Sequence, residues 1–364
     1  MSRRPAGALA GIAMILLLAS PASAAGPPHG PGEPPQRPGG ALDVPRPALP
    51  LRDIVLSGPP DTGSAGISAT APTRRYPIGD GSGATIAVGV TAACLATCDA
   101  ADPRAIANFI GTLPHGREVR RLTVQLDTRW QIAYDCGYGA QACYDGWRSK
   151  IIISGDDEVQ HDGATREFVL AHEYGHHLAG HRPAPAPFSP AIDWGTPRWA
   201  SYMNVCRGER QGRFFPGNQG WRYHRNPGEA FAEAFAFSHF PDAQTGWAWN
   251  AALKPDARAF AAIRRDVYRP WSQRSFTIRG RLPGTRGRAV ARTFPTPLDG
   301  RASVRLRGPG ARSARLLVRG AGKPRTIPGG EALKLTVCDQ GNLRAVVKPG
   351  HGRAHRFTLA VKRP

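Results

Sequence analysis

The residues best suited to do chemistry are His172, Glu173 and His176, spaced as H-E-x-x-H in the run His172-Glu173-Tyr174-Gly175-His176. On a helix that spacing is the signature of a zinc hydrolase. Two histidines four residues apart differ by about 40° around a helix axis, so both imidazoles reach one metal ion from one face. Glu173, about 100° from His172, is left free to act on water at that ion. The alternative, a solvated surface helix, would do no chemistry. The flanks argue against it: Phe168, Val169, Leu170 and Ala171 supply apolar packing, and Glu167 falls where a carboxylate complements the helix dipole. Thr165 or Asp162 offers an N-cap.

Two histidines fall short of the three protein ligands that a catalytic zinc site uses, the remaining position being water. The metzincin spacing would put a third histidine at position 182, which is Arg182, and a glycine at 179, which is Ala179. His181 is one residue early and turns to a different side of the helix. His177 points about 100° away from His176 and reads as a neighbour. The stronger source is Asn226-Pro227-Gly228-Glu229-Ala230-Phe231-Ala232-Glu233-Ala234-Phe235-Ala236-Phe237. Pro227 and Gly228 open a helix there. Glu229 and Glu233 then share one face, and Phe231 with Phe235 make another that packs into a core. Carboxylates in such an apolar helix are costly unless they meet a cation or donors. Glu229 is therefore expected to be the third ligand, with Glu233 holding a ligand histidine by its distal N–H. The reversed assignment, and a helix with two exposed glutamates, are the alternatives.

Together these two blocks resemble the gluzincin arrangement, and in particular the catalytic domain of the anthrax lethal-factor family. The resemblance implies a zincin-like fold for about residues 84–268, one Zn2+ held by His172, His176 and Glu229, and Glu173 as general base. It also implies a tyrosine close before the ligand glutamate. Tyr223 stands six residues before Glu229, one residue nearer than in that family, and would donate to the oxyanion; His224 is the alternative donor. Pro227 is a further departure. The matched blocks cover a small part of the chain and say nothing of substrate specificity.

The elements that must position these residues read as an α+β domain. Strand-like runs come first, at Ala84–Val90, Val119–Leu126 and Ile151–Ser154. Helical runs follow at Thr165–Ala179, Pro227–Phe237 and Asp256–Tyr268, the last closed by Pro270. Between the two metal blocks lies a stretch rich in Pro and Trp, including Trp194, Trp199 and Trp221. Its tryptophans either shape substrate pockets or pack beneath a long loop. Beyond residue 273, short alternating runs at Ala302–Leu306, Ala314–Val318, Leu333–Val337, Leu343–Val347 and Phe357–Val361 predict a small all-β sandwich. This region loosely resembles the β-sandwich domains appended to many secreted bacterial peptidases.

The chain opens with Arg3 and Arg4, an apolar stretch from Ala8 to Ala19, and Ala22-Ser23-Ala24, the pattern of a cleavable secretory signal over residues 1–24. No segment is apolar for long enough to span a bilayer. Residues 25–83 are crowded with Pro and Gly and read as a leader or linker. They contain no cysteine, so a thiol cannot block the metal from there. Residues 84–273 form the expected catalytic domain and 274–364 the sandwich. The six cysteines, Cys94, Cys98, Cys136, Cys143, Cys206 and Cys338, suit an oxidising compartment. Cys136 with Cys143 is the expected local bridge. Cys94-x3-Cys98 lacks the second pair that a zinc site would need.

Charge is unevenly spread. The chain has 48 Lys+Arg against 27 Asp+Glu, and residues 274–364 hold 21 basic and 3 acidic side chains of these. The catalytic part is nearly neutral, and the sandwich would be drawn to an anionic cell-surface polymer, unless the charge serves solubility alone. Aromatics are sparse and no nucleic-acid motif is present, so a specific nucleic-acid partner is not expected. The expectation is thus a secreted zinc metallopeptidase acting on peptide or protein substrates. The alternatives are a zinc-stabilised, non-catalytic surface-binding protein and a hydrolase of cell-wall peptide amides.

Overall fold

The computed structural model describes residues 71–156, 163–284, 287–351 and 354–364. The expected signal peptide, most of the expected leader, and Asp162 lie outside the described residues.

The first sheet has five strands: β1 (Thr73–Pro77), β2 (Thr85–Val90), β3 (Thr123–Asp127), β4 (Ala142–Asp145) and β5 (Lys150–Ser154). Their order is β1-β2-β3-β5-β4. The three central strands are parallel, and the two edges run antiparallel to them. Parallel strands covered on both faces read as unbroken apolar runs, and Ile151-Ile152-Ile153 on β5 is one. Two expectations need correcting. Thr73–Pro77, assigned to the leader, pairs with β2 along its whole length, so the packed domain begins before Ala84. An edge strand with exposed Arg74 and Arg75 carries too little apolar signal to betray itself. The run from Val119 is also not strand at its start: Arg117–Arg121 makes a 3-10 turn, and pairing begins at Thr123.

Helices α1 (Ala92–Thr97) and α2 (Pro103–Thr112) link β2 to β3, and α3 (Arg129–Cys136) precedes β4. After β5 come α4 (Arg166–Gly180), the short α5 (Ala191–Trp194), α6 (Pro197–Tyr202) and α7 (Val205–Arg210), then α8 (Pro227–His239) and α9 (Ala257–Tyr268). Thr165 caps α4 by accepting from the Phe168 amide. Asn226 caps α8 by accepting from the Gly228 amide, and Pro227 takes the first helical position, where a missing N–H costs nothing. Phe168, Tyr174, Phe231 and Phe235 are fully buried in one core with the sheet. Each such side chain contributes about 1.5–3 kcal/mol through burial.

The remainder is all β: β6 (Arg274–Leu282), β7 (Val290–Thr296), β8 (Gly300–Arg307), β9 (Arg315–Arg319), β10 (Arg325–Pro328), β11 (Ala332–Val337), β12 (Gly341–Lys348) and β13 (His355–Arg363). They form two antiparallel four-stranded sheets, β10-β9-β12-β7 and β11-β8-β13-β6. Alternation decides the inner face. Ala302, Val304 and Leu306 of β8 and Leu343, Ala345 and Val347 of β12 meet in one shared core. Arg301, Arg305 and Arg307 point outward from β8. The expected sandwich is therefore present.

The cysteines pair as Cys94–Cys98, Cys136–Cys143 and Cys206–Cys338. The second is the local bridge expected from the sequence, and the first removes Cys94 and Cys98 from any metal role. The third ties α7 to the end of β11 and so joins the α+β part to the sandwich. The Arg301 amide donating to the Ala186 carbonyl at 2.7 Å and the Asp299 amide donating to Ser201 Oγ at 2.8 Å join them further. Among the described residues no helix is long and apolar enough to cross a membrane.

Candidate metal centre

Helices α4 and α8 meet where Gly175 faces Ala232. A Cβ on Gly175 would lie 2.8 Å from the Ala232 Cα, a backbone atom with nowhere to go. The missing side chain lets the two helices approach closely enough for residues on both to share one point in space. Gly228 does the same at the start of α8, where a Cβ would sit 2.2 Å from the Ile192 carbonyl oxygen.

At that meeting point His176 Nε2 lies 3.2 Å from His172 Nε2 and 3.1 Å from Glu229 Oε2. The third side of the triangle, His172 Nε2 to Glu229 Oε2, is 3.6 Å. All three residues are buried. Zinc bonds of about 2.0–2.1 Å in a tetrahedron put neighbouring ligand atoms about 3.3 Å apart, so these three atoms have the spacing of a tetrahedral face. Glu233 Oε2 sits 2.8 Å from His172 Nδ1. The imidazole N–H therefore donates from Nδ1 to that carboxylate, which leaves the His172 Nε2 lone pair facing the centre. Two nitrogens and a carboxylate oxygen converging in this way suit a divalent cation. His172, His176 and Glu229 can thus hold a metal ion.

Glu229 is oriented by further donors. Its Oε1 accepts from Gln219 Nε2 at 3.1 Å, and its Oε2 from the Tyr223 hydroxyl at 3.3 Å. Burial would raise the Glu229 carboxyl, but the facing imidazoles, His176 foremost, hold it well below the usual carboxylate range. Glu173 is fully buried on α4, between the two histidines in sequence. Burial raises the half-buried Asp193, at the end of α5, while His176 opposes and Glu229 adds to that rise. Asp193 thus shares the electrostatic surroundings of the ligands, and nothing in the sequence singled it out.

The structure brings together His172 and His176 from α4 and Glu229 from α8, sets Glu233 against His172 and Tyr223, from the turn before α8, against Glu229, and buries Glu173 on α4 next to His172. Glu229 converges with the imidazoles, and Glu233 lies behind His172. His224 is exposed, its ring 6.0 Å from that of Tyr223, whereas Tyr223 is buried against Glu229. His181 lies away from the centre, its Nδ1 3.0 Å from the His177 carbonyl and its Nε2 3.3 Å from Ser149 Oγ. Arg182, at the metzincin histidine position, is buried against Glu118 at 2.7 Å and donates to the Asp266 and Val267 carbonyls. Burial would raise Glu118, yet Arg182 holds it below the usual range. His177 is core: burial first, and His181 next, push its imidazole down to about 3, and its ring nitrogens meet the Tyr144 hydroxyl and the Glu118 carbonyl.

Sequence reasoning missed Gln219 and Trp249. Trp249, buried, stands 6.3 Å from the His172 ring and 5.0 Å from the Tyr223 ring, and walls the site. Its position ten residues beyond α8 gave no periodic signal. The Pro- and Trp-rich stretch divides between its two readings. Trp199 is core and Trp194 packs on Phe188, whereas Trp221 is 82% exposed, with the Arg222 guanidinium 4.1 Å from its ring centre.

No family model and no curated protein matches the chain. Solved structures of slight likeness include a mitogen, a lysozyme inhibitor and FlhE. The mitogen YPM of Yersinia pseudotuberculosis is 13% identical, with 26% of this chain and 88% of that chain covered and a TM-score of 0.23. PliG of Aeromonas hydrophila, a periplasmic inhibitor of g-type lysozyme, is 16% identical over 24% of this chain and 83% of that one, with a TM-score of 0.20. FlhE is 16% identical over 26% and 100%, with a TM-score of 0.17. Likenesses this slight bear on neither the fold nor the site.

Proposed function

We propose that this chain is an exported zinc-dependent peptidase of zincin-like, gluzincin type, which hydrolyses peptide bonds with Glu173 as general base. The observation that carries the reading is the convergence of His172, His176 and Glu229 on one point, with a further buried carboxylate, Glu173, between the two histidines. A structural zinc site closes with four protein ligands. Here three converge, and the H-E-x-x-H spacing sets a buried glutamate, Glu173, directly after the first of them.

Zinc held by these three residues would supply a polarised carbonyl and a water with a pKa lowered to about 7. Glu173 takes the proton from the attacking water and returns it to the leaving amine. Tyr223, whose hydroxyl already points at the ligand carboxylate, donates to the oxygen that becomes negative. Glu233 keeps His172 in the tautomer that presents Nε2. The three disulfides support an oxidising compartment outside the cytosol.

The test compares the wild-type chain with Glu173→Gln on a mixed peptide library, with metal content measured in parallel. Cleavage should fall by about 10²–10⁴-fold while bound zinc is unchanged. Zinc in both proteins and cleavage by neither would favour the non-catalytic binding protein. Cleavage confined to cell-wall peptides would favour the amide hydrolase.

A further inference from the structure

A second site lies far from these ligands in sequence, between α9 and the sandwich. It is an open cleft of about 940 Å³, near the top of the range of about 300–1,000 Å³ usual for ligand pockets. One wall is a face of α9, where Arg258, Ala261, Ala262 and Arg265 recur at helical spacing, with Arg269 just past its end. The alanines leave room, and the arginines rim it. At 1.5 Å of rise per residue, Arg258 and Arg265 stand about 10 Å apart along the helix, and Arg269 continues the row beyond its end. Arg274 of β6 and Arg363 of β13 come from the other side. These two are directly opposite in the β6–β13 register, an arrangement of like charges that destabilises a sheet unless a counter-charge offsets it.

Much of this charge has no close counter-charge, though the Asp256 carboxylate, held by the lining Tyr202, lies near enough to Arg258 to interact with it. No acidic side chain lines the cleft. Arg198, which also lines it, is paired with Asp266 at 2.5 Å. Among the described residues Arg258, Arg265, Arg269 and Arg274 form no ion pair, and all four are exposed. The Cys206–Cys338 bridge joins the two parts close to the cleft, two residues from the lining Gln340.

We propose that this cleft binds a linear polymer of linked phosphates. Guanidinium forks match phosphate oxygens, and their spread along α9 fits a chain of charges rather than a single ion. A concave cleft cannot press on a flat bilayer. Only two aromatics, Tyr202 and Trp271, line the cleft against six arginines, so platforms on which successive bases could stack are few. Half of the site belongs to the α+β part, which the sequence marked as nearly neutral. The inference does not rest on the metal centre.

The experiment titrates the full chain with a short labelled inorganic polyphosphate and with poly(glycerol phosphate) of similar length. The variants are Arg258→Gln/Arg265→Gln, Arg269→Gln/Arg274→Gln, and a control of equal charge change on the outer sandwich face, Arg319→Gln/Arg344→Gln. Either cleft pair should weaken binding ~10-fold or more at near-physiological salt, and the control less than ~3-fold. The tighter of the two polymers identifies the source of the phosphates. Equal losses in cleft and control variants, or no binding by wild type, would overturn the proposal. Tighter, cleft-dependent binding of single-stranded DNA would overturn it in favour of nucleic acid. Cleft-dependent binding of anionic vesicles that polyphosphate does not displace would do so in favour of a membrane.

Discussion

At the scale of single residues, Glu229 and Glu233 divide the work of one helix face. Glu229 Oε2 is 3.1 Å from His176 Nε2, and Glu233 Oε2 is 2.8 Å from His172 Nδ1. Deleting a direct ligand leaves two imidazoles, while deleting an outer partner only loosens a ring and its tautomer. Glu233→Ala should therefore cost about 10–100-fold in zinc affinity, and Glu229→Ala should cost much more, both read by competition with a chromophoric chelator. Comparable affinities in the two variants would sink the assignment. That both carboxylates share one side was legible from their spacing of four on a helix, while the choice of Glu229 over Glu233 as ligand kept its reverse as an alternative. Gln219 and Trp249 were not legible, because their approach depends on how loops 211–226 and 240–256 fold back over α8.

At the scale of elements, the site depends on how closely α4 and α8 pack. Gly175→Ala tests this against a control in the same helix. Alanine gains about 1 kcal/mol of helix propensity over glycine. At Gly175 the added methyl meets backbone at 2.8 Å, and overpacking of this kind costs about 1–3 kcal/mol and pushes α8 outward. At Gly180 the nearest atom is 3.7 Å away, so Gly180→Ala should be neutral or stabilising. The expected outcome is a lower melting temperature and weaker zinc binding for Gly175→Ala alone. If both variants melt and bind alike, close helix approach does not set the site. Helices α4, α8 and α9 were readable almost to their ends, since Thr165, Asn226-Pro227 and Asp256 are cap signals ahead of apolar runs. Asp102-Pro103 carried the same signal for α2, yet that helix went unread. Helices α5 to α7 are too short for periodicity to register, and β1 lies at an exposed edge.

At the scale of the whole molecule, the seam between the α+β part and the sandwich carries a buried acid. Burial, with Asp339 second, pushes the Asp299 carboxyl up to about 7. A carboxyl raised in the folded state supports folding below its unfolded value near 3.8, and that support is lost as pH rises through about 7. The difference amounts to roughly 4 kcal/mol. Asp299→Asn should therefore melt higher than wild type at pH 8 and no differently near pH 4, measured by thermal unfolding with disulfides intact. A constant difference across that range would show that Asp299 does not titrate in the seam.

The sequence by itself determined the chemistry on offer: two imidazoles and a carboxylate at helical spacing, two glutamates on a second helix, and a basic β region. Those features are local, since the period of a helix or strand fixes which side chains share a face. Only the tertiary structure decided that α4 and α8 approach at Gly175 and Ala232, so that His172, His176 and Glu229 meet. It also decided that arginines of a nearly neutral region join those of a basic one across a cleft. Both outcomes depend on contacts between distant segments, set by close packing and by the Cys206–Cys338 bridge, which no periodicity along the chain records.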